Sequence, residues 1–321
     1  MKKIGIIGAG ISTSVLCHYL TEQDIVIFEK ARGPGGRSST RKVDGIGVFD
    51  HGLHFISPRD QEFLKYLNNL SSIKKWDGNF VEMQNGEKLL PISEKFIGIN
   101  GNNDFVKGNV SSKKCEYKCK INKLEFQNNH WKLINENHDY FLCEKLILTT
   151  PQEQTYELID NLNLDFKRKE NIMKPCFTMM IALKKTNVFG NSGYVINGNK
   201  IISWCSNESS KKREINNSDL TLLTVQSTDE YGYANFKKYK DDKQKILDEI
   251  LHEFLSIFNL AKEDVVHVGI HGWLYAYADK SESEIFWNEE LKLGITGDWF
   301  TGGRAENSWK NAKDLAIRVN S

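Results

Sequence analysis

Along the first sixty residues the apolar positions fall into runs whose lengths switch from strand-like to helix-like and back. Residues 4–7 form a short apolar run closed by Gly8, residues 11–20 space their apolar side chains as a helix does, and residues 25–28 form a second apolar run. Joined by short turns, these runs predict a βαβ opening. From about residue 76 to residue 142 the texture changes to short segments of mixed polarity, such as YKCKINKLEF and HWKLINE, broken by Asn, Gly and Asp, which predicts antiparallel strands. A buried run at 146–149 ends at Thr149-Thr150-Pro151, and a further strand-rich stretch holds PCFTMMIAL, KIISWCS and LTLLTVQS. Between residues 241 and 260, Ile246, Leu247, Ile250, Leu251, Phe254, Leu255 and Phe258 recur at helical spacing and predict a helix packed on a sheet. The chain closes with a strand, LKLGIT, a glycine-rich turn and a helix expected to start near Ala305.

Composition narrows the class without choosing a function. The 321 residues are 40% hydrophobic and 26% charged, ordinary for a globular protein with room for two domains. Basic residues (43) nearly balance acidic ones (42), so no cationic excess draws the chain to nucleic acid or anionic lipid. The six cysteines are scattered without paired CxxC spacing, which predicts reduced thiols and no metal site. No apolar run approaches a membrane span and no cleavage site follows the charged start, so a cytoplasmic protein is expected.

Three features then converge on nucleotide chemistry. Gly8 permits a tight turn after the first strand, Gly10 lets backbone approach a pyrophosphate, and the N–H groups opening the next helix face the anion. Glu29 ends the second strand 21 residues after Gly8, where a carboxylate can accept hydrogen bonds from a ribose. Thr13 replaces the third glycine of the usual fingerprint, which is expected to loosen helix against strand without closing the phosphate cradle. Directly after Glu29, the stretch KARGPGGRSSTR offers a second glycine pair and Arg37 to the same pyrophosphate, a second clamp that an NAD-binding dehydrogenase does not need. At the other end, GITGDWFTGGRAENSW supplies Asp298 for a polyol and a helix N-terminus suited to the negative edge of a reduced flavin.

Taken together, GAGIS, FEKARGPGGRSSTR, FDHGLHFISPRDQEF, LTTPQEQ, KPCFTMMIA, HGWLYA and GDWFTGGRAENSW resemble the renalase-type branch of the FAD-dependent, amine-oxidase-like oxidoreductases. The resemblance runs from the first strand to the last helix and is weaker in the middle. It implies an α/β fold of two domains: a Rossmann-like FAD domain of discontinuous segments (1–75, 138–165 and 285–321) and a mainly antiparallel substrate domain (76–137 and 166–284). It implies FAD contacts at Gly8, Gly10, Ile11, Ser12, Glu29, Lys30, Arg32, Gly36, Arg37, Gly52, Leu53, Thr150, Asp298, Ala305 and Glu306, and at Ile121 through its backbone. His271, Trp273 and Trp299 are then expected to line the pocket before the flavin, with His54 and Phe55 as further candidates.

The activity implied is transfer of a hydride from a small reduced substrate, an isomeric dihydronicotinamide dinucleotide, to flavin N5, with dioxygen taking the electrons and neither nucleic acid nor membrane as partner. An FAD-dependent amine oxidase or desaturase is the alternative on the same scaffold, and a flavin-binding protein without turnover is the alternative of another class. Two departures bear on the substrate. His54-Phe55 stands where the family commonly has Gln-Tyr, and His271-Gly272-Trp273-Leu274-Tyr275 stands where it commonly has His-Arg-Trp-Arg-Tyr. Whether the two missing arginines belong to an anion site or face solvent is left open by the sequence.

Overall fold

The computed structural model describes residues 3–84, 86–168, 170 and 173–321. The Ile- and Val-rich runs of the N-terminal part meet as a six-stranded sheet in the order Phe286–Asn288, Leu293–Ile295, Lys145–Leu148, Lys3–Ile7, Asp24–Glu29, Lys114–Tyr117. All neighbours are parallel except the outermost pair, Phe286–Asn288 with Leu293–Ile295. Such strands are covered on both faces, which is why they read as unbroken apolar runs rather than alternating ones. Ile6, Ile27, Ile147 and Ile295 are all fully buried. The helices Ile11–Tyr19, Asp104–Val110 and Ala305–Asn320 pack together over the sheet, and a small antiparallel sheet of Ile121–Gln127, His130–Asn135 and Tyr140–Cys143 adds Trp131 and Leu133 to the same core.

This placement corrects the expected division of the chain. The strand Lys114–Tyr117 pairs in parallel with Asp24–Glu29, and the elements from residue 104 to residue 143 share the Rossmann-like core rather than standing in a second domain. The cause is legible afterwards: Lys114–Tyr117 is an edge strand with half-exposed or exposed side chains, so its polarity mimics a solvent-facing antiparallel strand.

The second unit is a seven-stranded sheet in the order Val265–Ala278, Met173–Lys184, Leu220–Ser227, Ile202–Asn207, Gly193–Ile196, Phe80–Met83, Glu87–Leu89. It is antiparallel apart from the pairing of Gly193–Ile196 with Phe80–Met83. Alternation sorts its side chains: Phe177, Met179, Ile181 and Leu183 point to one face, and Thr178, Met180 and Ala182 to the other. The first face packs on the expected helix, found at Lys243–Phe258, and on a helix not anticipated, Asp229–Asp241, opened by Thr228, whose side chain accepts the Tyr231 N–H. The second face meets the N-terminal unit. Among the described residues no helix is long and apolar enough to cross a membrane.

Candidate functional site

The two glycine turns meet. Gly8 leaves the first strand with φ +102°, its N–H bonded to the Phe28 carbonyl at 2.9 Å, and a Cβ there would stand 2.6 Å from Thr149 Oγ1. Gly10 then opens the helix Ile11–Tyr19 with no side chain capping it, and a Cβ built on Gly10 meets nothing within 4 Å, so open space lies before the helix start with half-buried Ile11 and buried Ser12 in its first turn. The second turn docks against it: Gly35 N–H donates to the Ala9 carbonyl at 2.8 Å, and Gly36, at φ +53°, lies so close that a Cβ would be 3.2 Å from Gly10 Cα. The third place is bound to the second by Arg37, whose Nη1 and Nη2 donate to Asp298 Oδ2 and Oδ1 at 2.8 and 2.5 Å. This bidentate fork also reaches the Ala276 carbonyl at 3.3 Å.

Thr13 does more than fill the place of a glycine. It is fully buried, donates to the Gly8 carbonyl at 2.7 Å and meets Thr149 Oγ1 at 2.9 Å, so the hydroxyl staples helix to turn where a loosened contact was expected. Glu29 is likewise engaged, accepting the N–H groups of Ala9 and Ala31 at 2.8 Å each, which ties the end of the second strand to both glycine turns. The chain leading to Ile121 runs beside it, with Cys119 N–H on the Glu29 carbonyl at 3.0 Å and Lys118 N–H on the Ala31 carbonyl at 2.9 Å.

The other expected residues divide into two groups. Gly52 and Leu53 belong with the turns: Leu53 N–H donates to the Arg37 carbonyl at 2.8 Å, and a Cβ on Gly52 would lie 2.0 Å from that same oxygen. Lys30 reaches outward to Gln154 Oε1 at 3.2 Å, and Arg32 is exposed. Thr150 gives its carbonyl to the Trp299 indole N–H at 3.2 Å. Trp299 is only 2% exposed and packs on Phe300 and Tyr156. It is packed in the core where a pocket wall was expected, its indole lying against extended Gly297, where a Cβ would stand 2.8 Å from the ring. Glu306, one residue after Ala305 opens the last helix, accepts the N–H groups of Arg59 and Asp60 at 3.1 and 2.5 Å, so it holds that loop instead of facing the glycine turns.

Residues 50–55 cross the open face of the seven-stranded sheet, and most of the chemistry lies along that crossing. On the sheet, His271 pairs with Thr178, Thr178 with Gln226 and Gln226 with Trp204, a polar and aromatic row across four strands. His51 sits at one end, its ring 5.0 Å from His271 and 5.4 Å from Trp273, and its carbonyl accepts the Trp273 indole N–H at 2.8 Å. Next along the segment, Gln226 Nε2 donates to the Gly52 carbonyl at 3.3 Å, and His54 Nδ1 lies 3.2 Å from Thr224 Oγ1. Phe55 ends the crossing in an aromatic cluster with Trp76, Phe80 and Trp204. His271, Trp273 and His51 are therefore together, whereas His54 and Phe55 lie further across the sheet, beside Thr224 and Trp204. His51 was not anticipated, and the period-two Thr224, Gln226 pattern in LTLLTVQS was the available signal for the row.

The geometry also settles where the missing arginines would have been. Gly272 and Leu274 alternate with His271 and Trp273 and so take the opposite face. A Cβ on Gly272 would stand 2.7 Å from the Tyr239 ring on the covering helix, and Leu274 is 40% exposed. Neither position opens toward His51.

Beneath residues 50–55 lies a feature with no sequence forecast: four buried charges. Lys211 Nζ donates to Asp50 Oδ2 and Glu208 Oε1 at 2.7 and 2.9 Å, and Arg213 Nη2 to Asp50 Oδ2 at 2.7 Å, with side-chain exposures of 0 to 1% throughout. Asn102 N–H and Thr40 Oγ1 both donate to Asp50 Oδ1 at 2.8 Å. Although burial opposes its charge, Lys211 and Arg213 hold Asp50 well below the usual carboxylate range; burial pushes Glu208 up against the same two cations. Burial also drives the imidazoles toward neutrality: His51 falls to about 3, with His271 and Arg41 adding to the effect, His54 to about 3, with Lys211 adding, and His271 to about 4, with Arg41 and Lys243 adding.

Comparison with known proteins agrees with this architecture. Residues 6–70 match the family model of the NAD(P)-binding Rossmann-like domain. The whole chain resembles solved structures at low identity: a putative protoporphyrinogen oxidase from Exiguobacterium sp. 255-15 (10% identity, 99% of this chain and 98% of that one, TM-score 0.72) is one. An oxidoreductase from Methanosarcina mazei (12%, 98% and 100%, TM-score 0.73) and a redesigned putrescine oxidase (9%, 99% and 99%, TM-score 0.70) are others. What this chain shares with them is the fold, a Rossmann-like unit joined to a mainly antiparallel sheet along nearly the full length of each.

Proposed function

We propose that this chain is an FAD-dependent oxidoreductase that accepts a hydride from a small reduced substrate, an isomeric dihydronicotinamide dinucleotide, and passes the electrons to dioxygen. The observation that carries the reading is the convergence of three distant segments: Gly10 and Gly36 meet within 3.2 Å of Cβ space, and Arg37 links them to Asp298. A mononucleotide needs one such cradle; an extended dinucleotide uses all three. The residues fit the group. The uncapped helix start at Gly10 suits a pyrophosphate, Glu29 keeps a lone pair on each oxygen beyond the Ala9 and Ala31 N–H groups and suits a ribose, and the Arg37–Asp298 pair holds the third segment beside them, with the loop at Gly52 and Leu53 alongside. The oxidase and oxidoreductase names of the structural relatives support the same class.

When bound, FAD supplies the hydride acceptor and the reaction with dioxygen. The protein's share is then to align a flat substrate and exclude water. Trp273, His271 and His51 form a compact aromatic group, with the His271 and Trp273 rings 4.4 Å apart, and the two imidazoles are neutral over the physiological range. Neutral walls suit a step that moves a hydride and needs no side-chain acid or base. An amine oxidase would instead call for a lysine close to the flavin, and the fully buried Lys211 has its ammonium committed to Asp50 and Glu208.

Purified chain should be yellow, and anaerobic mixing with dihydronicotinamide isomers should bleach it, with colour returning on admission of oxygen. Bleaching by amines alone would move the assignment to an amine oxidase. Colourless protein that binds no added FAD would overturn it.

A further inference from the structure

Two glycines lie inside the strand Val265–Ala278 beside the aromatic group, and they differ in what requires them. Gly272 is required by its neighbour, since a Cβ there would stand 2.7 Å from the Tyr239 ring. Gly269 is required by nothing in the chain. Its φ lies outside the left-handed region, its pairing with Met180 falls in a regular stretch of ladder, and beyond its chain neighbours a Cβ would meet nothing closer than His267 Nε2 at 3.9 Å and Met180 Cε at 4.0 Å. Glycine inside a strand weakens it, and where neither a bulge nor a close backbone calls for one it marks a place kept clear for a ligand.

The clear space is a half-exposed notch. His267, Gly269 and His271 alternate onto one face of the strand, with the His267 ring 6.3 Å from Phe49 and the His271 ring 5.0 Å from His51. Gly269 is therefore its floor and the two imidazoles its ends. Arg41 stands at the rim: it lies directly opposite Phe49 in the ladder of Arg41–Val43 with Gly47–Phe49, so both side chains leave that ribbon on the same side. Burial lowers the His271 imidazole, and the charges of Arg41 and Lys243 lower it further, which puts both cations near the notch. Arg41 is exposed, and among the described residues its guanidinium makes no ion pair and the His267 ring no hydrogen bond.

We propose that this notch holds a phosphate of the substrate, with Gly269 leaving it room, His267 Nε2 donating a hydrogen bond to it and Arg41 countering its charge. Two residues of strand, about 7 Å, separate Gly269 from His271, so a ribose joins a phosphate there to a flat ring lying against His51, His271 and Trp273. The substrate class is then a phosphorylated nucleotide rather than a free base or riboside. The inference rests on the flavin reading for the ring it places at Trp273, and it puts the anion contact on Arg41 and His267, since Gly272 and Leu274 take the opposite face.

Equilibrium titration of the purified flavoprotein with nicotinamide mononucleotide and with nicotinamide riboside tests it, because the two ligands differ by the phosphate alone. The mononucleotide should bind at least about tenfold more tightly, the margin of a charge-assisted hydrogen bond. Gly269→Val, which fills the notch, and Arg41→Gln, on the exposed surface and so informative even if the first variant fails to fold, should each bring the margin close to one by weakening the mononucleotide and not the riboside. A merely structural role would weaken both ligands alike and overturns the proposal, as do equal binding by the unaltered chain and a margin that survives Arg41→Gln. If the protein holds no flavin yet shows the margin and loses it in Arg41→Gln, the oxidoreductase reading fails and this one stands; yellow protein bleached by dihydronicotinamides but indifferent to the phosphate gives the reverse.

Discussion

The two glycine turns and the charged cluster under residues 50–55 do comparable work by opposite means. The turns are backbone: Gly8, Gly10, Gly35 and Gly36 act by having no side chain, and Gly36 can sit against Gly10 only for that reason. The cluster is side chain: Asp50 from one unit and Glu208, Lys211 and Arg213 from the other are buried to within 1% of full burial and join the two units. Backbone machinery is local and leaves a spacing in the sequence, whereas side-chain machinery assembled from remote strands leaves none. The first fails when a side chain is added, the second when one is removed, because a buried charge stripped of its partner has nowhere to turn.

The largest effect should come from that cluster. Lys211→Met leaves Asp50 and Glu208 buried with one cation between them and should cost about 3–5 kcal/mol in denaturant unfolding; adding Glu208→Gln should recover part of the loss. A cost under about 1 kcal/mol would show that the cluster is wetter than its burial indicates. Acid comes next. The folded chain holds His51 and His54 near 3 and His271 near 4, below the unfolded value of 6.5, so the unfolded chain binds more protons and stability should fall as pH drops from 6.5 toward 4. His54→Gln should flatten that slope, and an unchanged slope would place the acid sensitivity elsewhere. Smaller again, Gly36→Ala forces a side chain onto φ +53° and against Gly10, a strain of about 1–3 kcal/mol that should appear mainly as weaker flavin retention on gel filtration. Smallest is Leu274→Arg, on the face away from His51: stability should move by less than about 0.5 kcal/mol, with substrate preference unchanged. A changed preference would bring that face into the pocket after all.

Legibility followed the same divide. The opening βαβ unit, the helix found at Lys243–Phe258 and the helix beginning at Ala305 were readable because period and glycine punctuation are local signals. The strand Lys114–Tyr117 was misplaced because an edge strand of a parallel sheet and a solvent-facing antiparallel strand share one polarity pattern. Trp299, expected as a wall, packs in the core, since the residues around a tryptophan in sequence do not say which partners its ring meets in space. Glu208, Lys211 and Arg213 lie in NESSKKRE, which reads as a solvated turn; only the arrival of Asp50 from more than 150 residues away makes them interior. His51 stayed unnoticed because its neighbours in space, His271 and Trp273, are equally remote in sequence.

The strand that presents His271 and Trp273 is also a rim. Val265–Ala278 ends the seven-stranded sheet and contains no Asp, Glu, Lys, Arg or Pro, the residues that usually stop one chain's edge from recruiting another. What shields it here is tertiary: the Tyr239 ring over Gly272, the Arg37 fork on the Ala276 carbonyl and the Gly303 N–H on the Ala278 carbonyl. Edge protection and the proposed substrate wall thus share a strand, and a change that lifts Tyr239 or Arg37 away exposes a template for intermolecular pairing before it alters any chemistry.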